Sequence, residues 1–128
     1  VIMSRDTVDI YNPKVIRSTM GFIYRVPFVY AEDLHGACDA IKKRGIRLFA
    51  AHLEGSSEYD REDYTGPCGF LIGNEANGLT KETAAMADAR IRIPMAGQVE
   101  SLNAAVAASV LMFETARQRR RGKAVSDM

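Results

Sequence analysis

The sequence predicts an α/β fold, a mainly parallel sheet flanked by helices, on three observations. Short apolar runs of strand length alternate with segments of helical period, the order that a parallel sheet with crossover helices requires. The runs Ile46–Ala51 (IRLFAA) and Cys68–Ile72 (CGFLI) are apolar at almost every position, as strands covered on both faces are. Two apolar strands, Cys68–Ile72 and Ala89–Ile93, each lead into a polar loop that contains glycine. The first loop is Gly73-Asn74-Glu75-Ala76-Asn77-Gly78; the second runs from Pro94 through Gly97 to Asn103. Ligands of open α/β sheets bind outside the carboxyl ends of the strands, so both are candidate ligand loops.

The elements follow in order. Val1–Met3 reads as a short buried strand already under way. Asn12 before Pro13 reads as an N-cap with proline at the first helical position, opening a helix to about Met20. Tyr24–Tyr30 is apolar but broken at Pro27, so any strand there is short or at an edge. Ala31–Arg44 is the clearest amphipathic helix. Leu34, Ala37, Cys38 and Ile41 recur at helical spacing, Lys42, Lys43 and Arg44 fill the last turn, and Gly45 stands where a C-cap glycine belongs. After the strand Ile46–Ala51, His52–Pro67 is a polar connection of a length usually reserved for functional loops. Thr80 caps a helix to about Ala87, and Ala89–Ile93 alternates and stops at Pro94. A long helix from Leu102 to about Arg119 closes the pattern. Its first four turns are apolar on nearly every side, which calls for burial by more than one neighbour. In a chain of 128 residues that points to a subunit interface.

Composition narrows the function classes. The length suits one domain, residues 1–128, with one core. A net charge of +1 gives no global basic field, although Arg117, Arg119, Arg120, Arg121 and Lys123 form a basic tail over 117–128. Such a tail reads as a solvated helix end that complements the helix dipole, with unspecific phosphate contact as the alternative. Cys38 and Cys68 lie in apolar periodic segments, in no CxxC pair and at no metal-ligand spacing, so buried thiols in a reducing cytoplasm and no metal are expected. No apolar run approaches membrane-spanning length.

The loops restrict the chemistry further. Gly73 and Gly78 have the spacing of a phosphate cradle, but Leu79 replaces the lysine and Glu75 would set a carboxylate beside phosphates, so no nucleoside triphosphate is expected. A carboxylate in a glycine loop suits a cationic or hydroxyl-bearing ligand; a plain turn with a solvated Glu75 is the structural alternative. Ser101 reads as a simple N-cap of the last helix. Asn103 fits that explanation poorly, because an amide inside an apolar helix needs a partner, and Glu75 at the end of the neighbouring strand is a plausible one. His35 and His52 have no serine or cysteine partner that would make a nucleophilic triad.

The loops, in this order, resemble those of the SpoU (TrmH-type) RNA ribose 2′-O-methyltransferases of the SPOUT superfamily. Leu71-Ile72-Gly73-Asn74-Glu75-Ala76-Asn77-Gly78-Leu79 is similar to the family's second motif. Ile93-Pro94-Met95-Ala96-Gly97-Gln98-Val99-Glu100-Ser101-Leu102-Asn103-Ala104-Ala105-Val106-Ala107 is similar to its third, and Asn12–Gly21 matches a mid-domain helix. The resemblance implies a SPOUT fold with a C-terminal trefoil knot, a homodimer through the last helix, and S-adenosylmethionine as cofactor. It implies methyl transfer to a ribose 2′-hydroxyl of structured RNA, with ribosomal RNA expected ahead of transfer RNA. By position, Gly73, Ile93 and Leu102 would hold the donor, with Ala51, Asn74 and Met95 lining the same pocket. Glu75, Ser101 and Asn103 match the family's polar site residues and are the candidate catalytic set. The family's first motif, an Asn followed by an Arg implicated in catalysis, has no match in the 128 residues. The expectation is therefore an N-terminally incomplete domain that binds donor and lacks part of the acceptor site. A non-catalytic dimeric RNA-binding module and a generic nucleotide-binding domain are the alternatives.

Overall fold

The computed structural model describes residues 1–5, 7, 9–18, 25–52, 57–73, 78–95 and 103–126, with backbone only at 16, 18 and 123–126. Its elements are β1 (Ile2–Ser4), α1 (Pro13–Ser18), β2 (Val29–Ala31), α2 (Leu34–Lys43), β3 (Arg47–Ala51), β4 (Ser57–Glu58), a 3₁₀ turn (Tyr59–Arg61), β5 (Cys68–Leu71), α3 (Lys81–Ala85), β6 (Ala89–Arg92) and α4 (Ala104–Ser126). They fall into two compact units, Val1–Ala37 and Cys38–Met128. The four strand pairs among the described residues are all parallel, as the apolar runs and crossover helices predict.

In the first unit β1 pairs with β2, Met3 opposite Tyr30. Asn12 Oδ1 accepts the Lys14 N–H at 2.9 Å, so the predicted cap of α1 is present. The predicted helix end at Met20 lies outside the described residues. Two expectations are corrected here. The first strand is not buried within its unit, for Val1 is 72% and Ile2 44% exposed. Ala31 belongs to β2, and α2 starts only at Leu34, because strand pairing claims the residues before it.

The second unit is built on a four-stranded sheet in the order β4-β6-β3-β5. Gly45, at φ +78°, ends the turn after α2 in the left-handed region that glycine adopts without strain. Strand alternation then sorts the sheet into two faces. Phe49, Ala51, Phe70, Ile72, Ala89, Ile91 and Ile93 share the face that meets Leu111 of α4. Leu48 and Ala50 point the other way and are equally buried, so β3 is covered on both sides as its sequence predicts.

Residues 52–67 correct the reading of a plain polar connection. They hold β4, the 3₁₀ turn and Tyr64, whose side chain is wholly buried. Its ring stands edge-on to Phe49 and Phe70, at centroid distances of 4.9 and 5.2 Å, a preferred geometry for ring quadrupoles. The hydroxyl donates to the Tyr59 carbonyl oxygen, and burial pushes the phenol well above its usual range. From α4, Gln118 Oε1 accepts the Tyr64 N–H at 2.8 Å and Gln118 Nε2 donates to Glu62 O at 2.9 Å. Arg119 donates to Tyr64 O at 3.1 Å and Gly66 O at 2.9 Å. Cys38 is buried, whereas Cys68 is only half-buried, with Arg119 Nη2 3.9 Å from its sulfur.

Candidate functional site at the carboxyl edge of the sheet

β3 lies between β5 and β6, and the register aligns their carboxyl ends. Ala50 faces Leu71, Ala51 faces Ile91, and the His52 N–H donates to Ile91 O at 2.9 Å. Ala51, Gly73 and Ile93 therefore leave the sheet at one edge, where the chain order reverses across β3, the position at which such sheets bind ligands. Ala51, Gly73, Ile93 and Met95 are all half-buried, apart from solvent yet not packed away in the core.

Gly73 is required by close approach. A Cβ there would stand 2.8 Å from Gly78 Cα and closer still to the Gly78 carbonyl carbon and the Leu79 nitrogen. Gly78 and Leu79 thus lie directly against Gly73. Gly78, at φ +64°, is in the left-handed region that glycine adopts without strain. Thr80 follows as the predicted cap, its Oγ1 accepting the Thr83 N–H at 3.1 Å; α3 ends at Ala85 rather than Ala87.

Asn103 differs from its expected role. It is exposed and is itself the N-cap of α4: Oδ1 accepts the Ala105 N–H at 2.8 Å and the Val106 N–H at 3.4 Å, and its carbonyl accepts the Ala107 N–H at 2.9 Å. The cap assigned to Ser101 falls to Asn103, because α4 opens at Ala104 and not at Leu102. Asn103 therefore does not need Glu75 to satisfy its carbonyl oxygen. Asn74, Glu75, Ser101 and Leu102 lie outside the described residues, as do 76–77 and 96–100, so the segments through which the implied knot would thread are described only in part. Beside this edge, Glu58 of β4 lies 3.9 Å from Arg92 of β6 and 3.8 Å from Arg61, exposed pairs of small energetic weight.

A second feature lies along α4. A groove of about 600 Å³ is lined by Tyr59, Val106, Val110 and Phe113, with Glu114, Arg117 and Arg120 at its charged end. Val106 is 47%, Met112 59% and Phe113 74% exposed, while Leu111 on the opposite side is wholly buried. The apolar all-round pattern of α4 thus resolves into one side in the core and one side open. Tyr59 escapes a sequence reading; its only signal is an aromatic in an acidic stretch. Among the described residues no group of three or more His, Cys, Asp or Glu is placed to hold a metal ion, and no helix is long and apolar enough to cross a membrane.

Residues 1–113 match the profile of the SpoU rRNA Methylase family. A tRNA (guanosine(18)-2′-O)-methyltransferase of Thermus thermophilus is 46% identical over 88 residues, 68% of this chain and 45% of that protein. A 23S rRNA (guanosine-2′-O-)-methyltransferase of Xanthomonas axonopodis is 33% identical over 119 residues, 93% of this chain and 48% of that protein. The crystal structure of the SpoU methyltransferase AviRb from Streptomyces viridochromogenes in complex with the cofactor AdoMet superposes with a TM-score of 0.84 at 34% identity, covering 92% of this chain and 46% of that one. The chain spans just under half the length of these relatives.

Proposed function

The chain belongs to the SpoU rRNA methylase family, and from that premise we propose that it forms the donor-binding part of an S-adenosylmethionine-dependent RNA ribose 2′-O-methyltransferase. The observation that carries this reading is the convergence of Ala51, Gly73 and Ile93 at one sheet edge, with the backbone of Gly78 and Leu79 close against Gly73. That edge fits the donor: half-buried apolar groups at Ala51, Ile93 and Met95 suit an adenine ring, and a glycine lets backbone approach it closely. Gly73, Ile93 and Leu102 would hold it, with Ala51, Asn74 and Met95 lining the pocket. When bound, S-adenosylmethionine supplies a methyl group on a sulfonium, already activated for transfer.

What remains for the protein is to position a ribose 2′-hydroxyl and help remove its proton. Positioning supplies much of such a rate, and a placed proton acceptor typically adds about 10²- to 10⁴-fold. In this reading Ser101 and Asn103 orient the acceptor and the carboxylate end of the donor, and Glu75 holds Asn103. The capping geometry sharpens that last role. Asn103 Oδ1 is occupied by the helix, so a Glu75 carboxylate would meet the amide nitrogen, the atom of matching polarity. Structured RNA is the substrate, ribosomal ahead of transfer RNA, and the enzyme works in the cytoplasm as a homodimer through α4.

Calorimetry of this chain with S-adenosylhomocysteine tests the pocket, with saturable binding expected; a folded sample that binds none removes the assignment. Methylation mapping with the full-length protein tests the reaction, and Glu75→Ala is expected to lose most of it. Wild-type transfer by that variant would remove the proposed role of Glu75.

A further inference from the structure

Resting on the reading as an RNA methyltransferase, we propose that Arg120 and Arg121 of α4 contact phosphates of the RNA substrate. The basic tail looks uniform in sequence, but the structure sorts its arginines into two kinds. Arg119 is committed to the fold through Tyr64 and Gly66. Arg117 is committed to Glu114, donating from Nε at 2.9 Å and Nη2 at 2.6 Å, and Asp60 also acts on it. The side chains of Arg120 and Arg121 are exposed and make neither ion pair nor hydrogen bond among the described residues. Glu114, which lines the same groove as Arg120, is already matched by Arg117.

Among the described residues two adjacent guanidiniums thus stand without a partner, in a chain whose net charge is only +1. Arg120 stands at the charged end of the groove, about two turns beyond the apolar patch that ends at Phe113, and Arg121 stands beside it. Guanidinium is planar, permanently charged and weakly hydrated, which suits it to phosphate oxygens, and such contacts fix a nucleic acid in place without reading its sequence. A solvated helix end would leave RNA binding indifferent to both residues. A phosphate contact makes it depend on them through released counterions.

The test uses the full-length protein with an unmodified ribosomal RNA fragment and a transfer RNA transcript as probes. Binding is titrated across a salt series for wild type, Arg120→Gln/Arg121→Gln and Arg120→Lys/Arg121→Lys. Each phosphate contact contributes about 0.7 to 0.9 to the slope of log affinity against log salt. The Gln pair is expected to flatten the slope by about 1.4 to 1.8 and weaken binding at low salt, by two such contacts. The Lys pair is expected to keep most of the slope. Melting temperature and affinity for S-adenosylhomocysteine should stay at wild type. A Gln variant with the wild-type slope, in a protein that still transfers methyl groups, overturns this assignment and leaves the functional reading standing. A wild-type protein that binds no donor and transfers no methyl group overturns both.

Discussion

Asn103 joins a structural duty to a proposed chemical one, and substitutions can separate them. Its side-chain amide oxygen, Oδ1, caps α4 by accepting from the N–H groups of Ala105 and Val106, an interaction typically worth about 1 kcal/mol. Asn103→Ala should lose that amount in urea unfolding, whereas Asn103→Asp, also a good cap, should stay within a few tenths of wild type. Both remove the amide nitrogen, so both are expected to lose most methyl transfer in the full-length protein; an Asp variant with wild-type activity would leave Asn103 a cap and nothing more. Gly73 makes a complementary case. Its Cβ would press into the backbone of Gly78 and Leu79, which cannot move as a side-chain tip could. Gly73→Ala should cost about 1–3 kcal/mol as overpacking does and weaken S-adenosylhomocysteine binding in calorimetry. The sequence marks Gly73 as part of a glycine-bearing loop but does not show why glycine is needed there. The reason, close approach of a backbone five residues away, is tertiary and carries no local signature.

At the scale of elements, periodicity served best where one neighbour decides the pattern. α2 with its glycine cap, the buried β3 and the Thr80 cap were all readable, because their signals lie within a turn or a strand. The segment 57–66 was not. Its acidic residues outnumber its aromatics, and Tyr59 and Tyr64, five apart, match neither the strand nor the helix period. Tyr64 takes its place from Phe49 and Phe70 and from α4, more than fifty residues on, through Gln118 and Arg119, and its hydroxyl in turn bonds Tyr59. The same latch predicts a pH effect. The Arg117 hydrogen bond, aided by Gln118, holds the Glu114 carboxyl below its ordinary value of 4.5. A depressed folded value means that the contribution is fully present above 4.5 and lost as pH falls through the folded value. Melting temperature should therefore drop on acidification below that point, and Glu114→Gln should make the drop shallower. Asp63, held low by the hydroxyl and N–H of Thr65, loses stability in the same direction, so the acid effect should shrink rather than vanish. An unchanged acid limb in Glu114→Gln would remove Glu114 from the latch.

For the whole molecule, the parallel strand pairing and the candidate ligand edge follow from strand order, while the open side of α4 calls for a second surface. Val106, Met112 and Phe113 lie exposed along it beside a groove edged by Tyr59. Burying a side chain such as Phe113 stabilises by about 1.5–3 kcal/mol, and permanent interfaces are built from apolar surface of this kind. The proposed homodimer through α4 can be tested apart from the fold because the two sides of the helix do different work. Phe113→Glu should convert the protein to a monomer in sedimentation equilibrium while its unfolding, extrapolated to the monomer, stays within about 0.5 kcal/mol, as surface substitutions do. Leu111→Ala, on the buried side, should cost about 2–5 kcal/mol of folding stability from its cavity and leave the association of folded protein intact. A wild-type protein that sediments as a monomer at micromolar concentration, or a Phe113→Glu variant that still dimerises, would show that the open side of α4 is not the subunit interface.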